Sequence, residues 1–314
     1  MPEAGTVVLS IDAELLWGFH DLDDVPWDRV DSARESWLAA LDIFETHDVP
    51  ATWAVVGYLM LETSASEPGD HPAGEEWLAR DVVESDTSDT PDSYWFGRDL
   101  VDAIRDSGVD HEIGSHSFSH VEFGRSSTTA EVAEAELRYS REVAGEKGLD
   151  PTAFVFPRNN IGHRGLLAEH GFDCYRGATP DRWYDRIPFR RAGKFIDWGV
   201  GASAPPIVVP TVDEHGLVNV PASLYLFHFE GPPRAAVETV TGNPVIGQVE
   251  LGLERLQDEP DGVFHLWFHP NNITTEADLT RVETVVETIA THRDRHGVTV
   301  ETMGGVAERV KDGG

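Results

Sequence analysis

The chain has 314 residues, 40% of them hydrophobic and nine of them Trp, enough to bury a large core. Its 56 acidic residues against 24 basic ones leave a formal charge of −32, and its only lysines are Lys147, Lys194 and Lys311. So acidic a surface repels nucleic acid and anionic membranes, since phosphate binding needs clustered Lys and Arg; it suits a halophilic, salt-rich cytoplasm where salt screens the self-repulsion.

Cys174 is the single cysteine. An internal disulfide and a cysteine-rich structural metal site are thereby excluded, and a reducing compartment is expected. The start MPEAGTVVLSIDAE has no basic n-region or long apolar stretch, and no run of about 18 apolar residues occurs, so a cytoplasmic protein without membrane insertion is expected. Composition leaves the oligomeric state open.

In chain order, TVVLSID is a nearly continuous apolar run, as expected of a strand covered on both faces. A polar, aromatic loop from Glu14 to Trp27 follows, and then Val30, Trp37, Leu38, Leu41 and Phe44 recur at helical spacing before the strand ATWAVVG. Strand, helix, strand implies a right-handed βαβ unit and a parallel sheet. Residues 62–93, rich in Ser, Asp, Glu, Pro and Gly, read as a surface insertion, either a lid or a disordered excursion. A helix is predicted from Arg98 to Asp106, and another, capped at Thr128 or Thr129, runs to Gly148. AFVFP and FDCYRG read as strands around the helix GLLAEHG, residues 178–210 are irregular, and LVNVPASLYLF is extended. PVIGQVELGLERL is helical, VFHLWFHP a strand, ADLTRVETVVETIATHR a long amphipathic helix, and VTVETM a closing strand. With neither an internal repeat nor a separating linker, residues 1–314 are expected to form a single β/α barrel, since such barrels run to about 250 residues and more as one domain.

The residues able to do chemistry gather where strands end. Asp12 and Glu14 lie two apart where the first strand runs out, so their side chains point to one side, roughly 6–7 Å apart. Carboxylates at the carboxyl end of a barrel strand are where such folds place chemistry; a turn-capping Asp beside a solvated Glu is the alternative. In HEIGSHSFSH, His116 and His120 reach one face if the loop turns helically, and two His with one carboxylate and an open position is a catalytic zinc set. His292 and His296 share the spacing but sit in a polar, Arg-rich helix end, and His265 and His269 lie on a strand where four residues span roughly 13 Å. Pro270 ends that strand and puts His269 at the barrel mouth, with Arg158 similarly placed after VFP and suited to a buried carboxylate. Trp17 and Asn159 are candidates for substrate contact. The sequon Asn272-Ile273-Thr274 carries little weight in a cytoplasmic protein. No G-x-S-x-G occurs, which disfavours serine-based acyl transfer.

In this order the motifs resemble the polysaccharide deacetylase family, the NodB-homology or carbohydrate esterase family 4 group. SIDAE stands where that family has TFDDG, SHSFSH matches its H-[ST]-x-x-x-H-type motif, FPRNN stands near R-x-P-Y, and LWFHP matches L-x-x-H-P. The resemblance implies a distorted (β/α)7 barrel and metal-dependent removal of an N- or O-acetyl group from a sugar or glycan precursor. It implies Asp12 as general base, His116 and His120 as ligands of a divalent cation, most simply Zn²⁺, His269 as general acid, and Arg158 orienting Asp12. The family's second Asp falls on Ala13, so the third ligand passes to Glu14, and the Asp that supports the acid His has only Asp181 and Asp197 as candidates. Asn159 and Asn160 replace groove residues, which points to a substrate shape unlike chitin or peptidoglycan, and the expected absence of a signal peptide points to a nucleotide- or lipid-linked sugar. An allantoinase-like amidohydrolase and a non-catalytic sugar-binding relative remain alternative readings.

Overall fold

TVVLSIDA is apolar on both sides because both sides are covered: all eight residues of β1 (Thr6–Ala13) are buried. After β1 come α1 (Trp27–His47), β2 (Thr52–Val55), α2 (Asp92–Trp95), α3 (Arg98–Asp106), β3 (Glu112–Ser115), α4 (Ala130–Glu146) and β4 (Ala153–Phe154). The chain continues through α5 (Arg164–Glu169), β5 (Cys174–Gly177), β6 (Thr211–Val212), β7 (Val218–Pro221) and β8 (Leu224–Tyr225). It ends with α6 (Pro244–Leu256), β9 (Val263–Phe268), α7 (Glu276–His296), β10 (Thr299–Glu301) and α8 (Met303–Asp312). The structure is a computed structural model and describes residues 4–62, 72, 91–186, 188–189, 193, 203–227 and 243–313. Most of the expected insertion at 62–93, much of the irregular stretch 178–210, and Asp197 lie outside the described residues.

The strands pair in the order β6-β7-β5-β4-β3-β2-β1-β9-β8, all parallel except β6 against β7. Only Ala222 and Ser223 separate β7 from β8, so one extended stretch pairs with β5 at its start and with β9 at its end. That stretch joins the two ends of the curled sheet and makes the distorted (β/α)7 barrel. At the amino end of β1, β10 pairs with Thr6–Val8, while β2 pairs with Ser10–Ala13 further along. The helices bury their apolar stripes on the outside of this sheet. Trp37 of α1 stacks on Trp53 of β2 with ring centroids 5.5 Å apart, and Phe44 packs edge-on to the same ring.

Thr129 caps α4 by accepting from Val132 N, within the expected pair of capping residues. VTVETM does not close the chain, however, because α8 follows β10. Its sequence MGGVAERVKD has two glycines in the first turn, which weakens any local helix signal. The helix is held instead by a Thr302 cap and by Met303, Val306 and Ala307, buried against Val8, Cys174 and Val263.

His265 spans the seam of the barrel. Its Nδ1 lies 3.1 Å from Val220 O and its Nε2 2.8 Å from Ser10 Oγ. A carbonyl can only accept, so Nδ1 carries the proton and Nε2 accepts from the Ser10 hydroxyl. Burial, with Arg176 adding to it, pushes this imidazole from its usual 6.5 down to about 3. A folded-state value below the unfolded one means that the neutral ring's stabilisation is complete above pH 6.5 and is lost as pH falls toward 3. Denaturant titrations should therefore find unfolding free energy declining from pH 6.5 to 4. His265→Gln should lower stability at pH 7.5 by about 2–4 kcal/mol and flatten that decline.

Candidate active site

Asp12 is the penultimate residue of β1, and the backbone leaves the strand through Glu14 into a left-handed Leu15 (φ 47°). Both carboxylates stay buried. They do point to one side: His269 Nε2 lies 3.6 Å from Asp12 Oδ2 and 3.7 Å from Glu14 Oε1. A Cβ on Gly18 would stand 2.2 Å from Glu14 Oε1, so the missing side chain there makes room for the carboxylate. Ala13, where the family has a second Asp, is packed in the hydrophobic core.

Arg176 neutralises Asp12. Its Nη1 and Nη2 donate to Oδ1 and Oδ2 at 2.5 and 2.7 Å, a two-pronged contact. Nη1 also donates to Ser10 Oγ at 3.0 Å, which links the pair to His265, and Nε and Nη2 donate to Asn159 Oδ1 at 3.1 and 2.9 Å. The guanidinium further lies over the Trp267 ring, 4.3 Å from its centroid. Burial alone would raise the carboxyl, but Arg176, His116 and His269 outweigh it and hold Asp12 below the usual range. Arg158 was the expected partner from sequence; it instead donates to Asp21 (2.9 Å) and Glu122 (3.1 Å). The physical signal for Arg176 was present in FDCYRG, since a guanidinium inside a fully buried strand requires a buried anion.

His116 and His120 follow β3, and the segment between them is not regular helix: Ser117 and His120 both take φ near 63°. Such left-handed backbone is costly for these residues and persists only where surroundings over-determine it. Here the buried Glu136 of α4 accepts from Phe118 N (2.9 Å), Ser119 N (2.8 Å) and Ser119 Oγ (2.5 Å) and braces the loop. His116 Nδ1 is 2.7 Å from Val155 O, so that nitrogen is the donor and Nε2 is left with its lone pair. This Nε2 is buried with no hydrogen-bond partner and lies 3.5 Å from Glu14 Oε2, while His120 Nε2 lies 3.1 Å from the same oxygen. Glu14, His116 and His120 form the one cluster of metal-ligating groups among the described residues, with ligand atoms within 4.8 Å of one another. Burial opposes the Glu14 charge, yet His269, His116 and His120 hold that carboxyl well below its usual value. Two imidazoles with a carboxylate suit a divalent cation, and the orphaned Nε2 is the atom such an ion would satisfy.

His269 is oriented by Asn272, whose Oδ1 lies 3.0 Å from its Nδ1 and 2.7 Å from Tyr225 OH. Asp181, one of the two candidates for that role, is exposed. Asn271 Nδ2 donates to Glu14 Oε1 at 3.1 Å. The sequence reading missed both asparagines, Tyr225 and Glu136. The asparagines could be suspected from HPNN, because they follow His269 directly at a strand end that opens on the barrel mouth. Asn272 of the sequon is buried. Trp17 is not a substrate contact: it is fully buried, donates to Trp95 O at 3.2 Å and packs on Tyr58. A long apolar ring needs burial whether or not a site is near, so its sequence neighbourhood misled.

Asp12, Glu14, His120, Arg158, Asn159 and His269 all line one pocket of about 310 Å³, walled by Tyr225 and Trp267. Two larger clefts, of about 520 and 500 Å³, lie elsewhere and hold no such cluster.

A model of the polysaccharide deacetylase family matches residues 21–173, which takes in His116, His120 and Arg158. Among solved structures, one from Mycobacterium smegmatis named as a polysaccharide deacetylase superposes with a TM-score of 0.61 at 17% identity, covering 100% of this chain and 93% of that one. Another so named, from Pseudomonas aeruginosa PAO1, gives 0.58 at 12% over 98% and 90%. The Puue allantoinase gives 0.57 at 12% over 98% and 91%. These structural likenesses are of fold. No curated protein matches the chain. The family match over residues 21–173 and the likeness of fold support a relationship to the polysaccharide deacetylase family, and with it hydrolytic deacetylation of a sugar or glycan as the class of reaction.

Because Arg176 and Asp12 are both buried, removing the cation strands the anion. Arg176→Met should cost about 3–5 kcal/mol in chemical denaturation. Arg158→Met, at a partly solvated pair, should cost no more than about 1 kcal/mol.

Proposed function

We propose that the protein is a metal-dependent deacetylase that removes an N- or O-acetyl group from a sugar or glycan precursor in the cytoplasm, with Asp12, His269 and a cation at Glu14, His116 and His120 as its working parts. The observation that carries this reading is the meeting at one pocket of an imidazole–carboxylate cluster, a buried ionised Asp and a mouth-facing His, with His269 Nε2 3.6 Å from Asp12 Oδ2 and 3.7 Å from Glu14 Oε1. The chain's one cysteine, buried as a thiol, suits the reducing interior proposed. No described helix is long and apolar enough to cross a membrane.

A divalent cation held by Glu14, His116 and His120, most simply zinc, would supply Lewis acidity toward the acyl carbonyl and the attacking water. Asp12, kept ionised by Arg176, accepts the proton of the attacking water as its oxygen bonds to the acyl carbon. His269 is fixed with Nδ1–H on Asn272, so Nε2 is the nitrogen that delivers a proton to the leaving amine or alkoxide as the C–N or C–O bond breaks. Asn159, with its Oδ1 held by Arg176, lines the pocket beside Asp12 and is the substrate-facing amide. Arg158 lines the pocket wall, where it pairs with Asp21 and not with Asp12.

Asp12→Asn should reduce acetate release at least ~10³-fold, the scale of losing a general base and its charge, while the purified protein keeps its stoichiometric metal. Near-normal turnover in that variant would falsify the assignment. Chelation should abolish acetate release and added Zn²⁺ restore it. Release of ammonia or a ureide instead of acetate would favour an allantoinase-like activity, and absence of metal from protein purified without chelator would favour a sugar-binding role.

A further inference from the structure

Pro270 stops β9 and starts a single 3-10 turn, Pro270–Asn272, whose two asparagines point in different directions. Both are buried, at 2% and 5% exposure, in a wall already crowded with carboxylates. Asn271 sends Nδ2 to Glu14 Oε1, the oxygen on the far side of the carboxylate from the one nearest His116 and His120. Asn272 turns back on the preceding strand end: its Oδ1 accepts from His269 N at 3.2 Å, stands 3.0 Å from His269 Nδ1 and accepts from Tyr225 OH. A backbone N–H can only donate and an ionised carboxylate can only accept, so the amide orientations of both residues follow from their partners.

We propose that Asn271 and Asn272 are a pair of positioning residues with separate tasks, Asn271 setting the Glu14 carboxylate toward the two imidazoles and Asn272 setting the His269 ring toward Asp12. The inference rests on the functional reading above, since the cation and the proton donor are its parts. Two physical constraints favour amides over acids in both places. Glu14 needs a donor on its outer oxygen, which a carboxylate cannot provide. His269 needs an acceptor on Nδ1, and a third carboxylate beside Asp12 and Glu14 would add like charge to a buried site. Partners that orient a ligand from outside are worth roughly 10–100-fold in metal affinity, and Asn271 occupies that position toward the one carboxylate of the cluster. It thereby supports a ligand delivered from Glu14, one residue further along the chain than the Ala13 at which the family's own Asp would stand.

The test compares Asn271→Leu, Asn272→Leu and Asn272→Asp with wild type, leucine being close to asparagine in volume. Zn²⁺ affinity is read by competition with a chromophoric chelator, acetate release gives kcat and KM, and thermal unfolding of the metal-free proteins checks the fold. Asn271→Leu should lose ~10–100-fold in Zn²⁺ affinity. Asn272→Leu should bind Zn²⁺ within about threefold of wild type but lose at least ~10-fold in kcat at unchanged KM, with Asn272→Asp, which keeps the acceptor oxygen but adds a like charge, recovering only part of the loss. Wild-type-like Zn²⁺ binding by Asn271→Leu overturns the inference alone. So does an Asn272→Leu that weakens Zn²⁺ as much as Asn271→Leu does, which would make the turn a single structural unit. Wild-type protein that takes up no Zn²⁺ overturns the functional reading and the inference with it. If leucine at 271 prevents folding, Asn271→Ala serves the same comparison.

Discussion

Two carboxylates, Asp12 and Glu14, are buried side by side at the end of β1, and most of the polar architecture around them answers that one constraint. Ionised carboxylates out of water are costly unless each is paired and hydrogen-bonded. Asp12 is compensated from β5 by Arg176, which is fixed in turn by Ser10, Asn159 and the face of Trp267. Glu14 accepts from Asn271, lies beside His269 and faces the imidazoles of His116 and His120. The two halves meet at His269, within 3.7 Å of both acids. A barrel delivers this because every strand end opens on the same mouth, so a charge placed on β1 can be answered from β5, the β3 loop and the β9 turn together.

The loops that carry these groups are strained. Leu15, Ser117, His120, Arg158, Asn159 and His163 are all non-glycine residues with φ between +47° and +63°, and His120, Arg158 and Asn159 line the pocket. Each persists because the surrounding contacts fix it: Glu136 grips the backbone between the histidines, and the Asp21–Glu122 pair holds Arg158. The strain serves geometry. It aims side chains of a loop into the mouth that a regular helix or strand would point elsewhere, which is why His116 and His120 converge on Glu14 although HEIGSHSFSH is not helical.

Much of the fold was legible in the sequence. The apolar runs became strands, the α3 boundaries were read correctly, and Thr129 caps α4. Those features are local, resting on periodicity and capping within a few residues. The terminal α8 was not legible, because its glycine-rich first turn has little helical propensity and its stability comes from burial against Val8, Cys174 and Val263, residues remote in sequence. In the site, Asp12, Glu14, His116, His120 and His269 were all recognisable as strand-end chemistry. The partner of Asp12 was misplaced onto Arg158, since two arginines at neighbouring strand ends are equivalent until the sheet is curled. Trp17 was misread for a related reason, as an aromatic ring beside a site can face either the pocket or the core.

Residue type and the end of an apolar run are both properties of short segments, and they single out Asp12, Glu14, His116, His120 and His269 at strand ends without any structure. Which of the groups distant along the chain meet is set by the fold. Arg176 rather than Arg158 reaches Asp12, Asn272 rather than Asp181 orients His269, and Asn271 answers Glu14 across 257 positions of chain. The Arg176 pairing depends on the closure of the barrel through Val218–Tyr225, which joins β5 to β9, whereas Asn271 reaches Glu14 because β9 pairs directly with β1 and Asn272 meets His269 within one local turn. No segment of the sequence contains that closure, since it is made by hydrogen bonds between strands that are distant along the chain.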